Sequence, residues 1–330
     1  MAKRTDQSDQ YAIRTVGLTK RFGDRVCVDE LNLEVKKGEL YALLGDNGAG
    51  KTTTINMLTT LLKPSSGEFY ICGHKGGRDS EAIKGLFGIV SQDVAIYQEL
   101  TAYENLRFIA DLYGIAGAEA KSRIDRLLFD AGLSERANDR VAEFSGGMQR
   151  KLSIASALLH EPVVLFMDEP TVGLDPASRR QIWYQLVNLK KKGVTILLTT
   201  HYLEEAELLA TRIGIIRQGK LVVEGTIDDL RFKIRGIRGI AIRLSQAVSE
   251  DEIEPRLVYL RESFKSEVYF DELRNTIHMS QPEDAELMDS MKEVMGWLAQ
   301  EKIAFSSFAT SEPNLEEVFL AVADGSDKLS

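Results

Sequence analysis

The apolar positions of this 330-residue chain follow two rhythms. Short runs come first: AIRTVGL at 12–18, VCVDELNLEV at 26–35 and LYALLG at 40–45 predict strands, and TTINMLTTLL after the third predicts a helix. GEFYICG at 67–73 and GLFGIVSQ at 85–92 predict further strands. From Leu100 to about Leu159 the spacing turns helical, in a stretch rich in Ala, Leu, Arg and Glu. Strand signals resume in VVLFMDEP and GVTILLTT, separated by the helix ASRRQIWYQLVNLKKK. A short helix, YLEEAELLA, and the paired strands RIGIIRQ and KLVVEG complete this part. Strands alternating with helices predict an α/β fold, a mainly parallel sheet covered on both faces. The helical block interrupts that alternation and is expected to project as a subdomain.

Beyond Thr226 the rhythm changes. GIAIRL at 239–244 predicts a strand, 250–260 a helix, and VYF at 268–270 and TIHM at 276–279 two short strands. AELMDSMKEVMGWLAQ predicts a helix with Leu287, Met288, Met291, Val294, Met295 and Leu298 on one core-facing stripe, and IAFSSF at 303–308 a last strand. Strand–helix–strand–strand–helix–strand predicts a small α+β, ferredoxin-like unit. PNLEEVFLAVA, with proline at its start and acids in its first turns, predicts a terminal helix.

Charge sharpens this boundary. Residues 226–330 carry 12 Lys+Arg against 21 Asp+Glu, whereas 1–225 are balanced at 29 each, so the whole net charge of −9 sits in the later part. Domains are therefore expected at 1–225 and 226–330, and no nucleic-acid partner is expected. The apolar runs fall short of a membrane span and the amino end, MAKRTDQSDQ, has no signal-peptide core. A cytoplasmic protein is expected, with any membrane role supplied by a partner. Cys27 and Cys72 lie in strand-like runs and read as small core residues.

Two stretches suit anions. Gly45-Asp46-Asn47-Gly48-Ala49-Gly50-Lys51-Thr52, with Thr53 next in line, is a full P-loop pattern between a strand and a helix. Its glycines let backbone N–H groups wrap phosphates, Lys51 reaches the β- and γ-phosphates and Thr52 offers a hydroxyl to Mg²⁺. In VVLFMDEP, Asp168 ends a buried run and is the second metal-side residue, expected to hold Mg²⁺ through water. Glu169 is the candidate for orienting and deprotonating the attacking water. The second stretch, FSGGMQRKLSIASALL, opens with Ser145-Gly146-Gly147 at a helix start. Because the P-loop already serves the phosphates of its own nucleotide, this second site makes sense in trans, over a nucleotide held by another chain.

Over roughly residues 12–225 the chain resembles the nucleotide-binding subunits of ABC transporters. The resemblance rests on GDNGAGKTT, Gln92 in IVSQD, FSGGMQR, LFMDEP, VGLD at 172–175 and His201 in TTHYLEEAE, in order and in register. It implies a RecA-like P-loop NTPase core with an antiparallel β subdomain and a helical subdomain at about 94–160. It further implies that Phe22 stacks on adenine and that Gln92 senses metal and water and couples to the membrane partner. Ser145, Gly146 and Gly147 would bind the partner's ATP, Asp175 would communicate across the dimer and His201 would contact the γ-phosphate. Asp46 stands where the family often has proline, Phe144 where leucine is frequent, and Met148 where glutamine is usual. FSGGMQRKL, GLDP, the HYLEEAE run and the terminal NLEEVF more closely resemble the single-cassette exporters of the daunorubicin-resistance, polysaccharide and lipid type. The resemblance thus implies an ATPase, with ATP and Mg²⁺ as cofactors, acting with a separate transmembrane permease and a second copy of itself on the inner face of the membrane. The rival readings are a soluble ABC ATPase acting on ribosomes or DNA, and a non-hydrolysing regulatory cassette. A single cassette with no cysteine cluster disfavours the first, and intact Lys51, Asp168, Glu169 and His201 disfavour the second.

Overall fold

Every residue of LYALL (40–44), VLFMD (164–168) and TILLTT (195–200) is buried, as strands covered on both faces must be. The computed structural model describes residues 10–311, apart from 94, 233–238, 267, 273 and 281–286, together with 315, 316, 318 and 319. The chain divides into two units after Ile227.

The first unit begins with β1 (Tyr11–Phe22), β2 (Arg25–Leu31), β3 (Glu34–Lys36), β4 (Leu40–Leu44), α1 (Lys51–Leu58), β5 (Ser66–Ile71), β6 (His74–Lys75), α2 (Ser80–Lys84) and β7 (Phe87–Val90). The helical block comes next as α3 (Ala102–Leu112), α4 (Gly117–Asp130) and α5 (Gly146–Leu158). Then come β8 (Val164–Asp168), α6 (Pro176–Lys191), β9 (Thr195–Thr200), α7 (Leu203–Leu209), β10 (Arg212–Arg217) and β11 (Lys220–Gly225).

The central sheet has the order β11-β10-β4-β9-β8-β7, parallel except for β11. Alternate residues of its strands feed two cores. Leu165, Met167, Ile196 and Leu198 join the core built with α3 to α6, while Val164, Phe166 and Leu197 join the one shared with α1 and the antiparallel β1, β2 and β5. The second sheet, order β2-β1-β5-β6 with β3 on β1, is the antiparallel layer.

Two local expectations change. The run at 26–35 is two strands, because Glu30 takes a left-handed φ of 49° and Asn32 holds the corner by donating to Glu30 O and accepting from Gly17 N. The helix after the P-loop stops at Leu58, where Thr59 Oγ1 bonds back to Ile55 O and Thr60 turns left-handed at φ 62°.

The second unit begins inside α8 (Ile227–Phe232) and contains β12 (Gly239–Leu244), α9 (Glu250–Phe264), β13 (Val268–Asp271), β14 (Thr276–Ser280), α10 (Leu287–Gln300) and β15 (Phe305–Ser311). Its antiparallel sheet runs β13-β14-β12-β15, the order in which two βαβ units interleave. On α10 the buried positions are Ser290, Val294, Trp297 and Leu298, with Leu287 and Met291 half-buried. Met288 and Met295 are exposed, so the expected methionine stripe is corrected. Trp297, which lies off the expected stripe, fills the core with Val294 and Leu298 in their place. Most of the expected terminal helix lies outside the described residues.

Candidate nucleotide site

The segment joining β4 to α1 adopts φ values of 82° at Gly48 and 110° at Gly50, which side chains disfavour. A Cβ on Gly50 would lie 2.5 Å from Cys27 O, and one on Gly45 2.4 Å from Ile216 O, so neighbouring backbone presses the loop into its cradle. Asp46, Asn47 and Gly48 form the exposed rim, whereas Ala49 is buried. The loop walls a cavity of about 390 Å³, also lined by Thr52, Thr53, Gln92 and Glu169. Cys27 lines it too, which corrects its reading as a core residue, and Cys72 is half-buried in the turn after β5.

Lys51 is 4% exposed and begins α1. Its Nζ donates to Gly45 O (2.6 Å) and Asp46 O (3.1 Å) and lies 3.1 Å from Glu169 Oε1. The second oxygen of Glu169 meets His201 Nδ1 at 2.8 Å. Glu169 stands just past β8 with φ 47°, a left-handed value that costs a residue with a side chain about 1 kcal/mol. Its N–H donates to Thr199 O at 3.0 Å, which ties that corner to β9.

Thr199 also gives its hydroxyl proton to Asp168 Oδ1. Asp168 is buried, and among the described residues its other oxygen accepts no hydrogen bond. A carboxylate oxygen left open in this way, with the hydroxyl of Thr52 and the amide oxygen of Gln92, is a hard-oxygen donor set suited to Mg²⁺. Nothing in the sequence marks Thr199 for this role beyond the TT pair before His201.

Arg150, inside FSGGMQR, is a second functional residue that motif spacing does not mark. It is 3% exposed, and its guanidinium donates to Ser91 O (2.5 Å) and Gln92 O (2.7 Å). Burial lowers its pKa, and the nearby carboxylates of Asp93 and Asp168 oppose that shift. A planar fork on two consecutive carbonyls fixes α5 to the Gln92 segment.

The P-loop, Gln92, Asp168, Glu169 and His201 thus converge at the carboxyl ends of β4, β7, β8 and β9, where ligands bind in open parallel sheets. The cavity wall includes neither Gly45, Asp46, Ala49, Asp168 and His201, which stand behind or beside it, nor Phe22, Ser145, Gly146, Gly147 and Asp175. Phe22 ends β1, half exposed, with Lys20 Nζ 5.0 Å from its ring centroid. Ser145 and Gly146 are exposed, and Ser145 Oγ caps α5 by accepting from Met148 N at 3.3 Å. Gly147 is buried, and a Cβ there would meet Ser178 Oγ at 2.4 Å and Ser178 Cβ at 2.8 Å. Asp175 caps α6, accepting from Ala177 N and Ser178 N at 3.0 Å each, and hydrogen bonds from Ser178, side chain first, hold its carboxyl below the usual range. Ser178 therefore touches both the Gly-Gly turn and the 172–175 loop.

A family model for ABC transporters matches residues 28–172. The linearmycin resistance ATP-binding protein LnrL of Bacillus subtilis (strain 168) is 38% identical over 309 residues, 93% of this chain and 97% of that protein. The daunorubicin/doxorubicin resistance ATP-binding protein DrrA of Streptomyces peucetius is 37% identical over 316 residues, 94% and 92% of the two chains. A solved dimeric ATP-binding cassette, in a post-hydrolysis state bound to ADP and Pi, superposes with a TM-score of 0.59 at 29% identity over 65% of this chain and 98% of its own. The chain belongs to the ATP-binding proteins of ABC transporters. Its activity is ATP hydrolysis coupled to transport. Among the described residues no helix is long and apolar enough to cross a membrane.

Proposed function

We propose that this chain hydrolyses ATP between two copies of itself to drive export of a drug-like or lipid-like molecule through a separate membrane-spanning chain. The observation that carries the reading is the convergence of Lys51 and His201 on the two oxygens of Glu169 beside the P-loop. Backbone amides of residues 46–52 and the Lys51 ammonium bind the phosphates, and Phe22 covers adenine. Thr52, Gln92 and Asp168 hold Mg²⁺, which when bound offsets charge on the β- and γ-phosphate oxygens. Glu169 orients the water and accepts its proton, with His201 fixing the carboxylate and reaching the γ-phosphate.

The exposed helix start at Ser145-Gly146-Gly147 closes over the nucleotide of the second copy, with Asp175 beside it. The relatives' names, linearmycin and daunorubicin/doxorubicin resistance, support an exported antibiotic. Gln92, gripped by Arg150, links the site to the permease, which holds the cassette at the inner face of the membrane. The exposed rings of Tyr97 and Phe108, which meet edge to face at 5.2 Å, support a docking surface near that link.

Glu169→Gln tests this reading, because the amide keeps the shape and accepts no proton. ATP binding is expected to persist, turnover to fall at least about 100-fold, and an ATP-bound dimer to accumulate in gel filtration. Turnover near the wild-type rate removes Glu169 as the base.

A further inference from the structure

Arg25 borders the nucleotide cavity yet belongs to none of the motifs. It stands directly opposite Phe22 across the β1–β2 hairpin, so both side chains leave the same face of the ribbon. Its Nη2 lies 4.0 Å from where a Cβ on Gly48 would sit, which places the guanidinium against the turn of the P-loop.

Charge makes that position significant. The cavity wall carries two cations among the described residues, Arg25 and Lys51. Lys51 is already neutralised by Glu169 at 3.1 Å. Arg25 is exposed, and its guanidinium forms no hydrogen bond or ion pair with any described residue. A surface arginine needs no explanation by itself, but this one presents an unspent planar fork of N–H donors at a cavity built of backbone amides. Guanidinium matches phosphate oxygens in both charge and geometry.

We propose that Arg25 is a ligand of the nucleotide's phosphate chain, binding in cis from the β1–β2 hairpin opposite the P-loop. The proposal rests on the nucleotide reading of the site given above. Phe22 and Arg25 then divide one nucleotide between them: the ring takes the base and the guanidinium takes the phosphates. The hairpin reads the ligand's charge as well as its base.

The test titrates the full-length chain with ATP, ADP and adenosine, following binding by calorimetry, for wild type, Arg25→Ala and Arg25→Lys. Thermal melting of each variant checks that the fold is kept. In Arg25→Ala, affinity for ATP is expected to fall about tenfold, as for loss of one charge-assisted contact in a partly solvated site. ADP should weaken in the same direction, adenosine should bind as in wild type, and Arg25→Lys should recover part of the loss. Unchanged ATP affinity in Arg25→Ala overturns the proposal. So does an equal loss for adenosine, which assigns Arg25 to the base or to the fold. Wild-type chain that binds ATP no better than adenosine overturns the underlying reading of the phosphate site, an outcome distinct from the other two.

Discussion

Lys51 Nζ lies 3.1 Å from Glu169 Oε1, in a wall where both side chains are almost fully buried. The ammonium and the carboxylate neutralise each other, and His201 holds the remaining oxygen. Removing one partner strands a buried charge beside the cavity, whereas removing both does not. A double-mutant cycle of Lys51→Met and Glu169→Gln, read by urea unfolding of nucleotide-free protein, should give a coupling energy of about 0.5–3 kcal/mol. Strictly additive losses would show that the two groups do not hold each other in solution.

The two glycines of the Ser-Gly-Gly turn should separate in their effects. Gly147 faces Ser178, where an added Cβ meets Ser178 Cβ at 2.8 Å, while Gly146 has nothing closer than Leu174 Cδ2 at 3.7 Å. Gly147→Ala is predicted to destabilise the cassette by about 1–3 kcal/mol, as overpacking does. Adding Ser178→Gly should return part of that loss. Gly146→Ala should leave the melting temperature unchanged or slightly raised, since alanine favours helix over glycine. Equal destabilisation by the two alanines would remove the packing argument.

Much of this site was legible in the sequence because its parts are local. The P-loop, the Asp168-Glu169 pair and the Ser-Gly-Gly turn are each short words whose chemistry comes from residue type and spacing, and each sits at a strand or helix end that the apolar pattern also marks. What stayed hidden depends on contacts made across the chain. Arg150 bonds to carbonyls 58 and 59 residues away, and Thr199 meets Asp168 across two parallel strands. Neither relation leaves a spacing signal. Periodicity misplaced the face of α10 for a different reason. Several apolar residues on one helix define more than one possible stripe, and the buried one runs through Val294, Trp297 and Leu298.

His160 supplies a pH test of the fold. It is half-buried, its Nε2 donates to Phe87 O at 2.9 Å, and its ring stacks on Tyr113 at 4.0 Å. Burial is the largest influence and pushes its pKa below the ordinary value, with the Arg123 charge acting the same way and the Phe87 carbonyl opposing both. The folded state therefore resists a proton that the unfolded chain accepts. This stability is intact above the ordinary histidine pKa of about 6.5 and is lost as the pH falls below it. Melting temperatures from about pH 8 to 5 should fall more steeply for wild type than for His160→Gln. Parallel curves would mean that His160 takes up its proton equally in both states.

The central claim, that one chain's Ser145-Gly146-Gly147 completes the site on another chain's P-loop, is tested most directly by mixing two inactive variants. One carries Lys51→Ala with its signature turn intact, and the other carries Ser145→Arg with its P-loop intact. Each homodimer has two damaged sites. The mixed dimer, isolated through two different affinity tags, has one composite site with all its donors. ATPase activity that appears only in the mixed dimer is the predicted result. Verified mixed dimers that stay inactive, beside Ser145→Arg homodimers that hydrolyse ATP at the wild-type rate, would contradict it.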